Sequence, residues 1–352
     1  MGSPICSGNP EVKNHSGKEV ALSVPIIKTE IRRWPLKRPF AISRHVFTDN
    51  LVLEVTIEVD GFKGRGECEP HEFDEEITRS AENSVLSLDH ATWSHLDPLV
   101  LNAILPRSAW RNAIDCALWD LKAKRGGRRI WDVLELELAT EDSFAVFETI
   151  ALDTPERMAA FAREAADAPG LKLKLGSADG LDCERLEAVR SAVPGHQLTV
   201  DANEGWSIKQ LADILPVARR LDVSSIEQPV PAALEDGLSS LPRLVPLCAD
   251  ESCLDRSSLP QLTGLYDMIN IKLDKTGGLT EALALQRQAV ALGYKTMIGC
   301  NGGSSLAQAP ATLLAPSAVL VDLGSHWLSE DHQPSLETAN FRIGLPKAEL
   351  WG

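Results

Sequence analysis

The chain has 352 residues, 44% of them apolar and 24% charged, enough for one large domain or a large and a small one, and too apolar to be disordered over most of its length. With 50 acidic against 35 basic side chains, the formal charge of −15 repels a phosphate backbone and disfavours nucleic acid as a partner. No window reaches the ~20 uncharged apolar residues of a membrane span. The nearest, 309–323, is interrupted by Pro310, Pro316 and Asp322.

The chain begins with a polar stretch, Met1 to Glu19, that lacks the apolar core of a secretory signal. Residues 1–22 are read as a disordered tail. The seven cysteines are odd in number and contain no C-x-x-C pair. Reduced thiols and a cytoplasmic location are the expectation. From Val24 the pattern becomes structured. Val24–Trp34 alternates, Asn50–Val59 alternates more strictly, Asp60-Gly61 makes a turn and Gly64–Cys68 returns, which predicts an antiparallel hairpin. Helices are predicted around Ile77–Leu88 and over Ser108–Lys124. The second has Ala113, Ala117, Leu118 and Leu121 on one face and Gly126-Gly127 as its stop. Residues 23–142 thus read as a small α+β unit.

Beyond residue 143 short apolar runs alternate with amphipathic helices. The runs are Phe144–Ile150, Leu171–Leu175, Gln197–Val200, Val223–Ile226, Pro246–Ala249, Met268–Leu273, Lys295–Ile298 and Ala318–Val321. Between them fall helices such as Thr154–Ala166, Leu181–Ala192, Ile208–Arg219 and Thr280–Leu292. Eight such units predict a (β/α)-barrel over residues 143–328, with a doubly wound sheet as the alternative.

Almost every run ends in a polar residue. Strand two ends at Lys172-Leu173-Lys174, three at Asp201-Ala202-Asn203, four at Glu227-Gln228, five at Asp250-Glu251; six carries Lys272, seven ends at Cys300-Asn301 and eight at Asp322. In a barrel these ends share one mouth, where active sites of the fold lie. Asp201, Glu227 and Asp250 then point into one volume, and three carboxylates stay ionised together there only with a cation among them. Oxygen-only ligands favour Mg²⁺, with Mn²⁺ as a substitute. Each acid pairing with its own lysine or arginine is the plainer alternative. Lys172 and Lys174 share the inward face of strand two, and Lys272 falls across the barrel. Two lysines over a bound carboxylate suit proton abstraction from one face and return to the other. Lys172 supplies the neighbouring cation that would bring a lysine from ~10.4 towards ~7–8. Neutralisation of an acidic mouth is the alternative role. Asn203, Glu251, Cys300, Asn301, Gly302, Asp322 and Gly324 are candidate substrate contacts.

These segments resemble a known family. KLKLG (172–176, reading from Lys172), DANEGW (Asp201–Trp206), EQP (Glu227–Pro229), ADES (Ala249–Ser252) and NIKLDKTGG (Asn270–Gly278) are similar to the enolase superfamily, muconate-lactonizing-enzyme subgroup, and most similar to its dipeptide epimerases and N-acyl amino acid racemases. AIDCALWDLKAK (Ala113–Lys124) resembles the helix of that family's capping domain. IRRWPLKRPFAIS (Ile31–Ser43) and GRGECEP (Gly64–Pro70) resemble loops that close over the substrate. The resemblance implies Mg²⁺ on Asp201, Glu227 and Asp250, Lys174 and Lys272 as the acid/base pair, Lys172 in support, and residues 329–352 completing the cap. The chain departs from the dipeptide epimerase pattern at strand eight, where Asp-x-Asp is replaced by Asp322-Leu323-Gly324, and at strand seven, which reads Gly299-Cys300-Asn301-Gly302-Gly303.

The expected function is Mg²⁺-dependent epimerisation or racemisation of a small carboxylate, a dipeptide or N-substituted amino acid. A cycloisomerase or dehydratase on the same site, and a metal-binding protein without turnover, are the alternatives. No membrane partner is expected, and a homo-oligomer stays open. Weaker motifs are read as structural. His71-Glu72-Phe73-Asp74-Glu75 lacks a zincin's second histidine, although contact with substrate stays open for it. His326, Glu330, Asp331 and His332 could ligate a metal, with a solvated loop the plainer reading, and Gly277-Gly278 could bind phosphate at a helix start, with a glycine-led turn the plainer reading. Gly302-Gly303-Ser304-Ser305 could offer backbone N–H groups to substrate.

Overall fold

Alternation from residue 26 onward builds an antiparallel three-stranded sheet in the computed structural model, which describes residues 24–70, 74–324 and 327–352. Its strands are β1 (Ile26–Ala41), β2 (Val46–Val59) and β3 (Phe62–Cys68), in that order. The predicted turn joins β2 to β3, with Asp60 and Gly61 at φ 53° and 81°. β1 runs past Pro35, where the predicted strand stops. A register shift between Pro35 and Phe40 absorbs the proline's missing N–H.

The helix Ala109–Gly126 lies directly on this sheet. Ser108 caps its start by accepting from the Arg111 N–H, and Gly127 ends it at φ 59°. Gly64 and Gly66 make the close approach possible. A Cβ on either would meet a helix carbonyl oxygen, of Ala117 or Ala113, at 2.1 Å. GRGEC is therefore largely packing surface of β3 rather than a substrate loop, which corrects that part of the expectation.

The expected strand Phe144–Ile150 is two. β4 (Ser143–Ala145) leaves the barrel, and β5 (Glu148–Ile150) begins it. The others are β6 (Leu171–Lys174), β7 (Leu198–Asp201), β8 (Val223–Glu227), β9 (Leu247–Ala249), β10 (Met268–Ile271), β11 (Lys295–Gly299) and β12 (Leu320–Asp322). They form one parallel sheet in chain order, and the Phe147 N–H donates to the Val321 carbonyl at 2.9 Å to join its two edges. Phe147, Cys248, Met268, Met297 and Leu320 form an apolar plug inside, towards the N-terminal ends of the strands. The opposite end is left to polar groups.

The last residues return to earlier ones. β13 (Thr338–Ala339) and β14 (Arg342–Gly344) pair with each other, and Ile343 lies opposite Phe144 of β4. The fully buried Trp351 donates from Nε1 to the Cys116 carbonyl of the Ala109–Gly126 helix. Six described cysteines are free thiols. Among the described residues no helix is long and apolar enough to cross a membrane. The tail 1–22, His71-Glu72-Phe73 and His326 lie outside the described residues.

Candidate active site

Parallel register lines up the polar strand ends. Lys174 lies opposite Asp201, and Asp201 opposite Glu227. Glu227 lies opposite Cys248 of β9, so Asp250, two residues on, continues the same face. All three carboxylates are 1% exposed or less. The chain turns away sharply after β7 and β8, with Asn203, Glu204 and Gln228 at φ 43°, 63° and 31°. Asparagine adopts that left-handed region more readily than most residues.

The lysines stand among the acids. Lys172 Nζ is 2.7 Å from Asp322, 2.8 Å from Glu227 and 3.1 Å from Asp201. Lys174 donates to Asp201 at 2.6 Å and to Asn203 Oδ1 at 3.1 Å. Lys272, just beyond β10, lies 2.7 Å from Asp250. Two further residues were not singled out in the sequence. Asn270 donates to Glu227 at 2.7 Å, and Lys275 donates to Asp250 at 2.6 Å. Their signal lay within NIKLDKTGG. Asn270 shares Lys272's strand face, and Lys275 follows Lys272 by one helical turn.

Burial would raise every one of these acids, and the nearby charges decide which is raised. Burial of Asp201 is outweighed by Lys174 and Lys172, which hold it at about 2. Asp250, beside Lys272 and Lys275, is held well below the usual carboxylate range. Burial and the neighbouring Asp201 push Glu227 up to about 7. Glu251 rises to about 7 through burial and Asp250. Lys172 is pushed well above its ordinary value, because Asp322, Glu227 and Asp201 outweigh its burial. The cation expected beside Lys174 is thus present. Lys272 also moves up, since Asp250, Glu251 and Glu227 outweigh burial.

Above the acids is a cavity with Lys174, Asn203, Lys272 and Asp322 on the barrel side and Phe40, Phe47 and Trp327 on the other. Cys300, Asn301, Gly302 and Gly324 also line it. Burial, followed by Asp322, pushes the Cys300 thiol up to about 12, so it is no nucleophile. Glu251 is not in the wall. It lies 3.4 Å from Arg44, which also donates to the Asn203 carbonyl at 2.9 Å. Phe47, Asn50, Thr149, Gln308 and Trp327 were missed, because their placement depends on how the N-terminal sheet and C-terminal segment dock. A larger open groove of about 820 Å³, along Lys63, Arg128 and Glu349, contains none of the candidate groups.

Two minor expectations change. The Ser304 and Ser305 N–H groups are taken by Glu67 and Asp331, at 2.7 and 2.9 Å, rather than offered to substrate. Asp331 and His332 are not a solvated loop, since His332 is 8% exposed and Asp331 is bound to Ser305. Gly277 and Gly278 are the expected turn, at φ 74° and 135°.

The sequence matches two family descriptions, "Mandelate racemase / muconate lactonizing enzyme, N-terminal domain" over residues 26–134 and "Enolase C-terminal domain-like" over 157–348. It is 40% identical over 320 residues to an L-Ala-D/L-Glu epimerase of Escherichia coli, covering 91% of this chain and 99% of the relative. The chain belongs to the mandelate racemase/muconate lactonizing enzyme family of the enolase superfamily. An N-acetyl-D-glutamate racemase of Pseudoalteromonas is 37% identical over 304 residues, covering 86% and 95%. A solved enolase family member from Agrobacterium tumefaciens, described as homologous to dipeptide epimerases and holding sodium and L-Ala-L-Glu, superposes with a TM-score of 0.87 at 39% identity, covering 93% and 100%. Like these named relatives, the chain is an isomerase of the racemase and epimerase type.

Proposed function

We propose that this enzyme moves the proton on the carbon α to a carboxylate in a dipeptide or N-substituted amino acid, inverting that centre. The observation that carries this reading is the pair of lysines. Lys174 ends β6 and Lys272 follows β10, four strands away in an eight-stranded sheet whose edges meet, and both line one cavity. A planar carbon held between them has one ammonium or amine on each side. Lys174 takes or gives the proton on one face, and Lys272 does so on the other.

Asp201, Glu227 and Asp250 would hold a divalent cation. Their fit rests on burial, an oxygen-only donor set and a shared level in the barrel mouth. That set suits Mg²⁺ or Mn²⁺ over zinc. When bound, the ion supplies positive charge beside the substrate carboxylate as negative charge develops there. Lys172 stays charged beneath Lys174 and contacts Asp201, Glu227 and Asp322, so it orients the acids. Asn270 fixes Glu227, and Lys275 fixes Asp250. Phe40, Phe47 and Trp327 give the substrate's outer half an apolar wall and keep water from the exchanging proton. Related proteins carry names consistent with this substrate class, an Ala-Glu dipeptide and an N-acetylated glutamate.

Incubation with paired dipeptides and N-acyl amino acids in D₂O with Mg²⁺ tests the reading. Deuterium at the α-carbon with inversion is the expected result. A new product without inversion would replace the proposal with elimination or cycloisomerisation.

A further inference from the structure

A second cluster of titratable groups lies where the N-terminal sheet, the barrel and the C-terminal segment meet, and proton transfer does not use it. Glu54 of β2 and Glu67 of β3 are directly opposite each other in the sheet. They are 6% and 1% exposed. Two like charges in that position repel unless a cation joins them. His332 of the C-terminal segment stands over both, with Nε2 3.5 Å from Glu54 Oε2 and 3.4 Å from Glu67 Oε2. Neither contact is a hydrogen bond, and Glu54 Oε2 and His332 Nε2 are both buried atoms without any hydrogen-bond partner.

The spacing has a physical meaning. Zinc binds carboxylate oxygen and imidazole nitrogen at about 2.0–2.2 Å, and the edges of such a tetrahedron are roughly 3.3–3.5 Å long. The two edges that His332 makes fall there, and the three donor atoms form one cluster. The donors are also held in place. Glu67 accepts from the Ser304 N–H at 2.7 Å, from Ser304 Oγ at 2.8 Å and from Trp34 Nε1 at 3.3 Å. The His332 ring rests edge-on against Trp34, with centroids 5.0 Å apart. Ser304 Oγ and Trp34 Nε1 reach Glu67 Oε2, the oxygen that faces His332, and the Ser304 N–H reaches Oε1, so the carboxylate is fixed in orientation. At the rim, Arg32 Nε is 3.4 Å from Glu54.

We infer that Glu54, Glu67 and His332 form a second divalent-metal site, of the zinc type, that fastens the C-terminal segment to the N-terminal sheet. One imidazole with two carboxylates favours zinc, whereas the oxygen-only set in the barrel favours magnesium. The two sites share no residue. Ser304 follows the Cys300–Gly303 stretch beside the cavity, so the ion would brace that wall from behind. The rival arrangement is a protonated His332 paired with both carboxylates and no metal.

The full chain, stripped of metal and then held in excess Mg²⁺, is titrated with Co²⁺. One equivalent should give the intense visible absorption of tetrahedral cobalt, displaced by one equivalent of Zn²⁺. The band should persist in Asp250→Asn and be lost in both His332→Gln and Glu54→Gln, with circular dichroism showing those variants folded. Wild-type protein without a tetrahedral cobalt band overturns the inference whatever the variants do. So does a band that survives His332→Gln or disappears in Asp250→Asn.

Discussion

Lys174 and Lys272 approach the cavity from opposite walls, so removing either should affect one substrate enantiomer's proton more than the other's. Lys174→Ala should lose solvent exchange from one epimer and Lys272→Ala from the other. Each should depress full epimerisation by about 10²–10⁴-fold or more, the usual contribution of a general acid or base. Exchange measured by NMR in D₂O for each epimer checks this, and near-normal turnover in either variant would remove that lysine from the chemistry. Substrate choice depends on Gly324. Among the described residues lining the cavity Asp322 is the one acid, and Lys172 and Thr149 already hold its two oxygens, at 2.7 and 2.9 Å. A free α-ammonium would therefore meet a carboxylate already shared with Lys172 and Thr149, whereas an acylated nitrogen needs no counter-charge. A Cβ at Gly324 would meet Trp327 atoms at 3.7–3.9 Å, ordinary contact, so the backbone there admits a side chain. Wild type should prefer the N-acyl amino acid to the matching dipeptide in kcat/KM. Gly324→Asp should move the ratio about 10-fold towards the free amine if one charged hydrogen bond of ~1.5–3 kcal/mol is gained. An unmoved ratio would mean that the ammonium is held elsewhere.

At the scale of elements, the Ala109–Gly126 helix is fitted to the loop after β10 that carries Lys272. Arg111, 4% exposed, donates to the Gly277 carbonyl at 2.9 Å and the Thr276 carbonyl at 2.8 Å. Asp115 accepts from the Thr280 N–H at 3.0 Å and its hydroxyl at 2.6 Å, at the start of the helix Leu279–Ala291. A Cβ on Gly277 or Gly278 would strike Arg111 or Asp115 at 2.6 Å, which is why two glycines stand there. Burial pushes the Asp115 carboxyl up to about 7, against the Thr280 hydrogen bonds. An unfolded aspartate titrates near 3.9, so between about 4 and 7 the folded state holds the proton more tightly. The contribution of Asp115 to stability is then greatest below about pH 4 and falls as pH rises towards 7. Asp115→Asn cannot titrate, and its melting temperature should decline less than wild type's across that window. Parallel curves would refute the assignment. The barrel was legible from the sequence because each buried strand is an apolar run ending in a polar residue, and parallel register converts those ends into one site. Lys174, Asp201 and Glu227 could be placed together for that reason. Docking was not legible. Nothing local to Trp327, Phe47 or His332 announces which surface they meet, and the run Phe144–Ile150 gave no sign that its first half pairs with β14. Lys275 was overlooked because a lysine after a strand ordinarily reads as solvated.

On the scale of the whole molecule, the barrel mouth and the N-terminal unit should melt as one body. Trp351 and Gly352, at the end of the chain, are bound to Cys116 and Asp120 of the Ala109–Gly126 helix, which itself grips the loop bearing Lys272. A cation held by Asp201, Glu227 and Asp250 is bound only when three strands are in register, so it favours the folded state by about 2.7 kcal/mol at a hundred times its Kd. At about 2.1 cal/mol/K of unfolding entropy per residue, each kcal/mol moves the Tm of a 352-residue chain by roughly 1.4 °C, so Mg²⁺ at that level should raise Tm by roughly 4 °C. The rise should be the same by circular dichroism and by tryptophan fluorescence, because buried tryptophans report on both parts: Trp206 in the barrel, Trp119 and Trp131 in the N-terminal unit. Asp250→Asn removes one of the three charges and should lose most of the Mg²⁺-dependent rise. Its Tm without Mg²⁺ reports separately on Lys272 and Lys275, which that carboxylate also holds. If the variant responded to Mg²⁺ as wild type does, the three acids would not share an ion. If the two probes gave different transitions, the cap would unfold independently of the site it covers.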